Sequence, residues 1–222
     1  MPALPTTRDE LIAFLAVEGA PGLLDGADLS GADLSRLDLR DLTFRQCQLR
    51  ETSFYGAQLA RTRWQRCRGA QADFEAAELV DAQFDACDFN NASWRRARLA
   101  SASFGECKLT GASFEEVSHL GLTFAHCRLA GADLRRMSFR KARLVGLDLQ
   151  DAELSGCDFG QAVFEECSLR DAHLKDARCD GADLRGADIA GLRLASARLF
   201  KGAIISTRQA AELMLEFGLV VA

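Results

Sequence analysis

From Leu29 to Leu199 every fifth position belongs to one unbroken frame of 35, and nearly all of them hold a large apolar residue. The unit is legible in Gly131-Ala132-Asp133-Leu134-Arg135. It returns, edited, as Ala27-Asp28-Leu29-Ser30-Gly31, Ala32-Asp33-Leu34-Ser35-Arg36, Cys87-Asp88-Phe89-Asn90-Asn91 and Ala182-Asp183-Leu184-Arg185-Gly186. Of these central positions 32 are Leu, Phe, Trp or Ile, and the departures are Gly69, His119 and Cys179. Two residues before each centre stands a small residue, Ala or Cys in 26 of the 35 cases. A period of five belongs to neither an α-helix nor a flat strand. It suits a chain that turns a corner every five residues, with the centre and the small residue inward and the other three outward. Self-similarity at a fixed short period is the mark of a solenoid.

The spacing of like residues gives the size of one coil. Phe44, Trp64, Phe84, Phe104 and Phe124 recur every 20 residues, as do Phe54, Phe74, Trp94 and Phe114. Four pentapeptides per coil predict a square helix of about nine coils, on the order of 40 Å long at the usual strand spacing. Stacked aromatics give it a stiff core, and the many alanines make that core too narrow for a ligand pocket. Gly69 is expected to leave a gap in the core. Bulky residues in the small slot (Leu37, Leu42, Leu122, Met137, Leu147, Leu192) predict local repacking or small bulges, and His119 reads the same way.

Seven of the eight cysteines (Cys47, Cys67, Cys87, Cys107, Cys127, Cys157, Cys167) occupy the small slot, and Cys179 takes a centre. With no CxxC pair, they read first as small buried hydrophobes and second as a redox or metal group. No cofactor or metal is expected. There is no nucleophile elbow, phosphate loop or metal-ligand spacing, and His119, His126 and His173 are scattered. The chain is therefore not expected to be an enzyme.

Both ends leave the repeat. Residues 1–26 hold Thr7-Arg8-Asp9-Glu10, a capping box opening a helix whose stripe is Leu11, Ile12, Phe14 and Leu15, with Gly19 and Pro21 as its stop. It reads as a cap over the first open coil of the 27–199 solenoid. In 200–222, Ser206-Thr207-Arg208-Gln209 opens a second helix with Ala210, Leu213, Met214 and Phe217 on one side, then Gly218 and the apolar tail Leu219-Val220-Val221. Together with Phe200 and Ile204-Ile205, this is more apolar surface than a cap needs, and it predicts a subunit interface.

The pattern A-[D/N]-[L/F]-x-x resembles that of the pentapeptide-repeat family over about three-quarters of the chain. The resemblance implies an all-β solenoid, a right-handed quadrilateral β-helix. The C-terminal helix and apolar tail are similar to those of the Qnr/MfpA-type members, which dimerise tail to tail, imitate duplex DNA and bind DNA gyrase. That implies a homodimer through Phe200, Ala210, Leu213, Met214, Phe217, Leu219, Val220 and Val221. It also implies the DNA-binding saddle of DNA gyrase as partner, with protection from fluoroquinolone or natural-product poisons. Qnr proteins of the plasmid-borne type carry projecting loops; the unbroken frame here has no insertion for one and is closer to the loopless MfpA-like type.

Charge refines this expectation. With 27 basic and 32 acidic residues the net charge is −5, which does not suit direct nucleic-acid binding. Residues 69–94 hold six acids and no Lys or Arg, whereas 36–68 hold eight Arg against Asp38, Asp41 and Glu51, and 128–143 hold six basic residues against Asp133. From Asp148 to Asp188 eleven acids face Arg170, Lys175, Arg178 and Arg185, a balance of −7. By the resemblance, Asp148, Asp151, Glu153, Asp158, Glu165, Glu166, Asp171 and Asp176 form an acidic centre for gyrase. The Asp before a centre is first a structural preference, bonding nearby backbone at corners. The other reading is a rigid scaffold for a partner that is not a topoisomerase. No apolar run spans a membrane and Met1-Pro2-Ala3 begins no signal peptide, so the expected place is the cytoplasm.

Overall fold

The computed structural model describes residues 4–17, 22–192, 198–216 and 218. The fold is a parallel β-solenoid with a helix at each end of the sequence, and contacts divide it into two compact units, residues 1–128 and 129–222.

In the first unit, helix α1 (Arg8–Leu15) precedes six short strands: β1 (Leu23–Asp25), β2 (Thr43–Arg45), β3 (Arg63–Gln65), β4 (Gln83–Asp85), β5 (Ser103–Gly105) and β6 (Thr123–Ala125). They pair in order, all parallel and all in a register of 20, Leu24 on Phe44 on Trp64 on Phe84 on Phe104 on Phe124. The other faces of each coil pair through single bridges in the same register, such as Asp33 with Ser53 and Ser53 with Asp73. Two aromatic columns fill the interior. Phe44 stacks on Trp64 at 4.0 Å and Phe74 on Trp94 at 4.2 Å. The columns meet edge to face, with Phe54 at 89° to Trp64. Stacking along each column and edge contact between columns are the two arrangements that aromatic quadrupoles favour.

The corners show why the sequence tolerates this path. From Gly31 to Gly181 the residue two after a centre has positive φ, as in Gly31 (+69°), Asp41 (+65°) and Arg96 (+55°). The carbonyl of the centre accepts from the amide three residues on, as in Ala32 to Leu29 at 3.0 Å, closing a turn with its third residue left-handed. The Asp before the centre accepts from the amide two residues on: Ser30 to Asp28 at 3.1 Å, Ser35 to Asp33 at 2.9 Å, Glu75 to Asp73 at 2.9 Å. The structural preference for Asp is thus an Asx-type corner bond. Leu37 and Leu42 cause no bulge, since their carbonyls still accept from Gln58 and Arg63 at 2.9 Å in the normal register.

Gly69 leaves no gap. A Cβ there would collide with the ring of Phe89 from the next coil, which has moved into the space. All eight cysteines are free and buried. The thiols of Cys47 and Cys67 donate to Leu24 and Phe44 carbonyls of the preceding coil at 3.4 and 3.3 Å, as the Thr52 hydroxyl does to Leu29 at 2.8 Å. The small slot therefore takes a short donor as readily as a methyl group.

The first coil is closed by α1. Thr7 accepts from the Glu10 amide at 3.3 Å, but Glu10 reaches back to the amide of Thr6 rather than of Thr7. Arg8 donates to the carbonyls of Asp33 and Ser35 at 2.9 and 3.0 Å, which have no earlier coil to pair with. Leu11 is buried, Phe14 and Leu15 half-buried, and Ile12 is exposed. Gly19 and Pro21 lie outside the described residues.

In the second unit β7 (Arg143–Val145) pairs with β8 (Val163–Glu165) and β9 (Cys167–Ser168) with β10 (Ala187–Asp188), again parallel. Phe139 stacks on Phe159 at 5.3 Å. The register of 20 then changes: Asp183 bridges Ile204, 21 residues on, so the ladder runs beyond Leu199 with one residue added. Helix α2 (Thr207–Glu216) follows. Its capping box is reciprocal, the Gln209 amide donating to Ser206 Oγ at 3.2 Å and the Ser206 amide to Gln209 Oε1 at 2.7 Å. Gln209 Nε2 also donates to the carbonyls of Leu184 and Ala187 at 2.8 and 2.7 Å. One buried amide thus caps the helix and ties it to the last coil.

Candidate functional site

The acidic residues of 148–188 fall into two groups by their place on the pentapeptide. Asp148, Glu153 and Asp158, just before a centre, and Glu165, just after one, lie half-buried along the flat faces. Most are engaged by their own coil or a neighbouring one. Asp148 accepts from the Gln150 amide at 3.2 Å and Glu153 from the Ser155 amide at 3.1 Å. Asp158 pairs with Arg178 and, at 3.7 Å, with Arg140. Burial works to raise its pKa, but the Gly160 amide and the two guanidiniums outweigh it and hold the carboxyl below its usual range. Glu165 is held low chiefly by its hydrogen bonds from Arg143, at 2.8 and 2.7 Å.

Asp151, Glu166, Asp171 and Asp176 instead occupy the left-handed corner position, with φ of +54°, +53°, +55° and +58°. There the backbone turns outward and all four are exposed. Asp151 accepts from Gln150 Nε2 at 3.3 Å. Glu166, Asp171 and Asp176 form no ion pair among the described residues. Asp151 and Asp171 stand one coil apart on the same corner and line a cleft of about 540 Å³ with His173 and Lys175. The acids therefore do not converge on one flat face; their unneutralised members mark several corners of the second unit.

The same neutralisation runs through the first unit. Glu75, Glu78 and Asp88 of its acidic stretch pair with Arg96, Arg98 and Lys108 one coil on. Arg45 and Arg61 of the basic stretch pair with Asp25 and Asp41 one coil back. Bands that look uniform along the sequence interlock in space. Each exposed pair adds little stability by itself, but together they reduce the field of the bands.

At the C-terminal end Leu213 is buried within the chain itself, while Ala210, Met214 and Phe200 are half-buried. Phe217, Leu219, Val220 and Val221 lie outside the described residues. Among the described residues there, the large apolar side chains that remain exposed are Ile204, Ile205 and Leu215, by 47, 37 and 58%. Leu215 escapes the sequence pattern because it sits across the helix from the buried Leu213 stripe.

The other candidates are structural or unassigned. His119 Nδ1 lies 3.2 Å from the Val117 carbonyl, a bond within its own pentapeptide. Among the described residues no group of three or more His, Cys, Asp or Glu is arranged to hold a metal ion, and no helix is long and apolar enough to cross a membrane. Cys67 and Cys107, each flanked by column cysteines on both sides, are held low, whereas Cys47, Cys87 and Cys127 are pushed up by the same neighbouring thiols and by burial.

The solenoid has solved counterparts. A trypsin-treated form of QnrB1, described as a plasmid-mediated fluoroquinolone resistance protein, superposes with a TM-score of 0.77 over 89% of this chain and 98% of its own, at 21% identity. Full-length QnrB1 gives 0.67 over 89% and 100%, also at 21% identity. No curated protein matches the sequence. The family profile described as "Pentapeptide repeat region" matches residues 37–114 and 122–194. With that match over most of its length, and the five-residue corners it describes, the chain belongs to the pentapeptide-repeat family.

Proposed function

We propose that this chain is a DNA-mimicking protein that binds DNA gyrase, or a related type II topoisomerase, and shields it from gyrase-directed poisons. The observation that carries this reading is the likeness to QnrB1 over nearly the whole of both chains. It is supported by the corner carboxylates Glu166, Asp171 and Asp176, which are exposed and form no ion pair among the described residues. Charge of that kind guides encounter with a basic DNA-binding saddle, adding rate and specificity more than raw affinity.

The proposal includes a homodimer through the C-terminal end, bringing two acidic segments together. Its surface centres on Ile204, Ile205 and Leu215, joined by Met214 and Phe200, rather than on Leu213, which is already buried. Sedimentation should show a dimer for the full chain and a monomer for Ile205→Lys with Leu215→Glu, since neither side chain is buried. A full-length monomer at micromolar concentration would remove the dimer and its acidic centre. A supercoiling assay with purified gyrase, with and without a fluoroquinolone, tests the activity: inhibition or rescue is expected, and neither at micromolar dimer would sink it.

A second reading, a rigid scaffold for a partner that is not a topoisomerase, is favoured by one observation. Asp158 and Glu165 are matched by arginines, so the surface is less uniformly DNA-like than its composition suggests. On that reading, reversing the charge of Glu166, Asp171 and Asp176 leaves gyrase unaffected.

A further inference from the structure

Five thiols form a line inside the first unit. Cys47, Cys67, Cys87, Cys107 and Cys127 repeat every 20 residues in the same small slot, and the pairs on either side fix their register, Gln65 on Asp85 and Arg68 on Asp88. Each thiol donates to a backbone carbonyl beside the column, Cys47 to Leu24, Cys67 to Phe44, Cys87 to Asp85, Cys107 to Gly105 and Cys127 to Ala125. Neighbouring coils of a parallel ladder lie about 4.8 Å apart. A cation bridging two thiolates in a straight line needs sulfurs roughly two metal–sulfur bonds apart, roughly 4.6 Å on the Zn–S length. The coil spacing therefore suits a two-coordinate bridge, while among the described residues no group of three or more His, Cys, Asp or Glu is arranged to give zinc its tetrahedral set.

One step of the column is reachable. A cleft of about 220 Å³ at the corner touches both Cys67 and Cys87 and is lined by Arg66, Arg68, Ala86 and Lys108 among others. Ala86 holds the left-handed corner between the two coils, so no long side chain closes that point. The other two charged lining groups are Asp88 and Glu106, giving three cations against two carboxylates along the cleft. That balance favours the anion made when two thiolates bind one monovalent ion. The Cys67 amide already donates to Cys87 Sγ at 3.4 Å, a contact that strengthens when the sulfur becomes a thiolate.

We propose that Cys67 and Cys87 bind a soft monovalent cation, Cu(I) or Ag(I), in linear two-thiolate coordination. Soft thiolates select such ions over hard ones. The balance is one cation taken up and two thiol protons released to solvent, with no change of oxidation state. Cys47 and Cys107 continue the line on either side and can pass further ions along it.

The test uses the fully reduced, full-length chain with one equivalent of Ag(I), followed by native mass spectrometry, proton release and far-UV circular dichroism. A single folded adduct releasing two protons is expected, and Zn(II) should not form it. Cys67→Ala with Cys87→Ala places in both slots the residue most pentapeptides carry there, so it should fold and lose the adduct. Cys157→Ala should keep it. Equal Ag(I) binding by the double variant, an adduct that appears only with loss of the folded spectrum, or equal binding of Zn(II) would overturn the assignment.

Discussion

The ring of Phe89 stands where a side chain at Gly69 would be, one coil away in the same column. It meets Trp64 and Phe74 edge-on, with centroids 6.1 and 5.5 Å away. The glycine and the phenylalanine are one packing unit spread over two coils. Gly69→Leu restores the five-residue consensus and is nevertheless expected to destabilise the fold by about 1–3 kcal/mol through overpacking. Combining it with Phe89→Leu should recover most of that loss, a non-additivity expected of residues in contact. Denaturant unfolding of both singles and the double checks it; additive effects would show the two are not coupled.

Trp94 carries the complementary defect. Its indole N–H is buried with no hydrogen-bond partner among the described residues, whereas Trp64 donates to Thr62 Oγ1 at 2.9 Å from the small slot two residues earlier. That slot holds Ala92 before Trp94, and Thr52 shows that the same face accepts a buried threonine. Ala92→Thr should therefore stabilise by about 1 kcal/mol as the orphan donor is satisfied. A lower denaturation midpoint would mean that the added atoms do not fit.

Gln209 holds the C-terminal helix to the solenoid. Gln209→Leu keeps the volume but leaves the Leu184 and Ala187 carbonyls without this donor and breaks the capping box. The expected cost is about 2–3 kcal/mol, seen in hydrogen exchange as loss of protection over 207–216 before the repeats. Unchanged protection there would show that the helix is held by its apolar contacts alone.

Acid should weaken the fold at its corners. Asp28 and Asp33 are held low chiefly by their bonds from Ser30 and Ser35, and Asp183 by its bonds from Arg185. For Asp133 burial opposes the shift, and Arg135 outweighs it. Carboxyls with lowered folded pKa contribute stability that is complete above their unfolded value, about 3.9, and that is lost as pH falls through the folded values. Thermal midpoints should thus be level between about pH 5 and 7 and drop below about pH 4. A midpoint that rises on acidification would contradict the corner assignment.

The frame of the solenoid was legible because every pentapeptide repeats the same inward pair, so Leu29 to Ile189 could be placed without ambiguity. Phe89 was not, because a five-residue period assigns a position but not the space its neighbour vacates. The extra residue between Asp183 and Ile204 was hidden because the spacing of apolar centres continues to Leu199 while the backbone ladder has already shifted. The candidate surface was only half legible. Summing charge over 148–188 left out Arg143, which lies 22 residues before Glu165 yet pairs with it about one coil away. Likewise the helical stripe identified Leu213 and Met214 but could not tell that Leu213 is covered by its own subunit.

The most direct test of the central proposal is competition between this protein and duplex DNA for purified gyrase, followed by fluorescence of labelled DNA. The full chain should displace the DNA at micromolar concentration, less strongly as salt rises. Glu166→Lys, Asp171→Lys and Asp176→Lys together should abolish displacement while leaving the solenoid folded, since all three side chains are exposed. DNA that stays bound at every concentration of the full chain, or is displaced equally well by the triple variant, would contradict a corner-borne imitation of DNA.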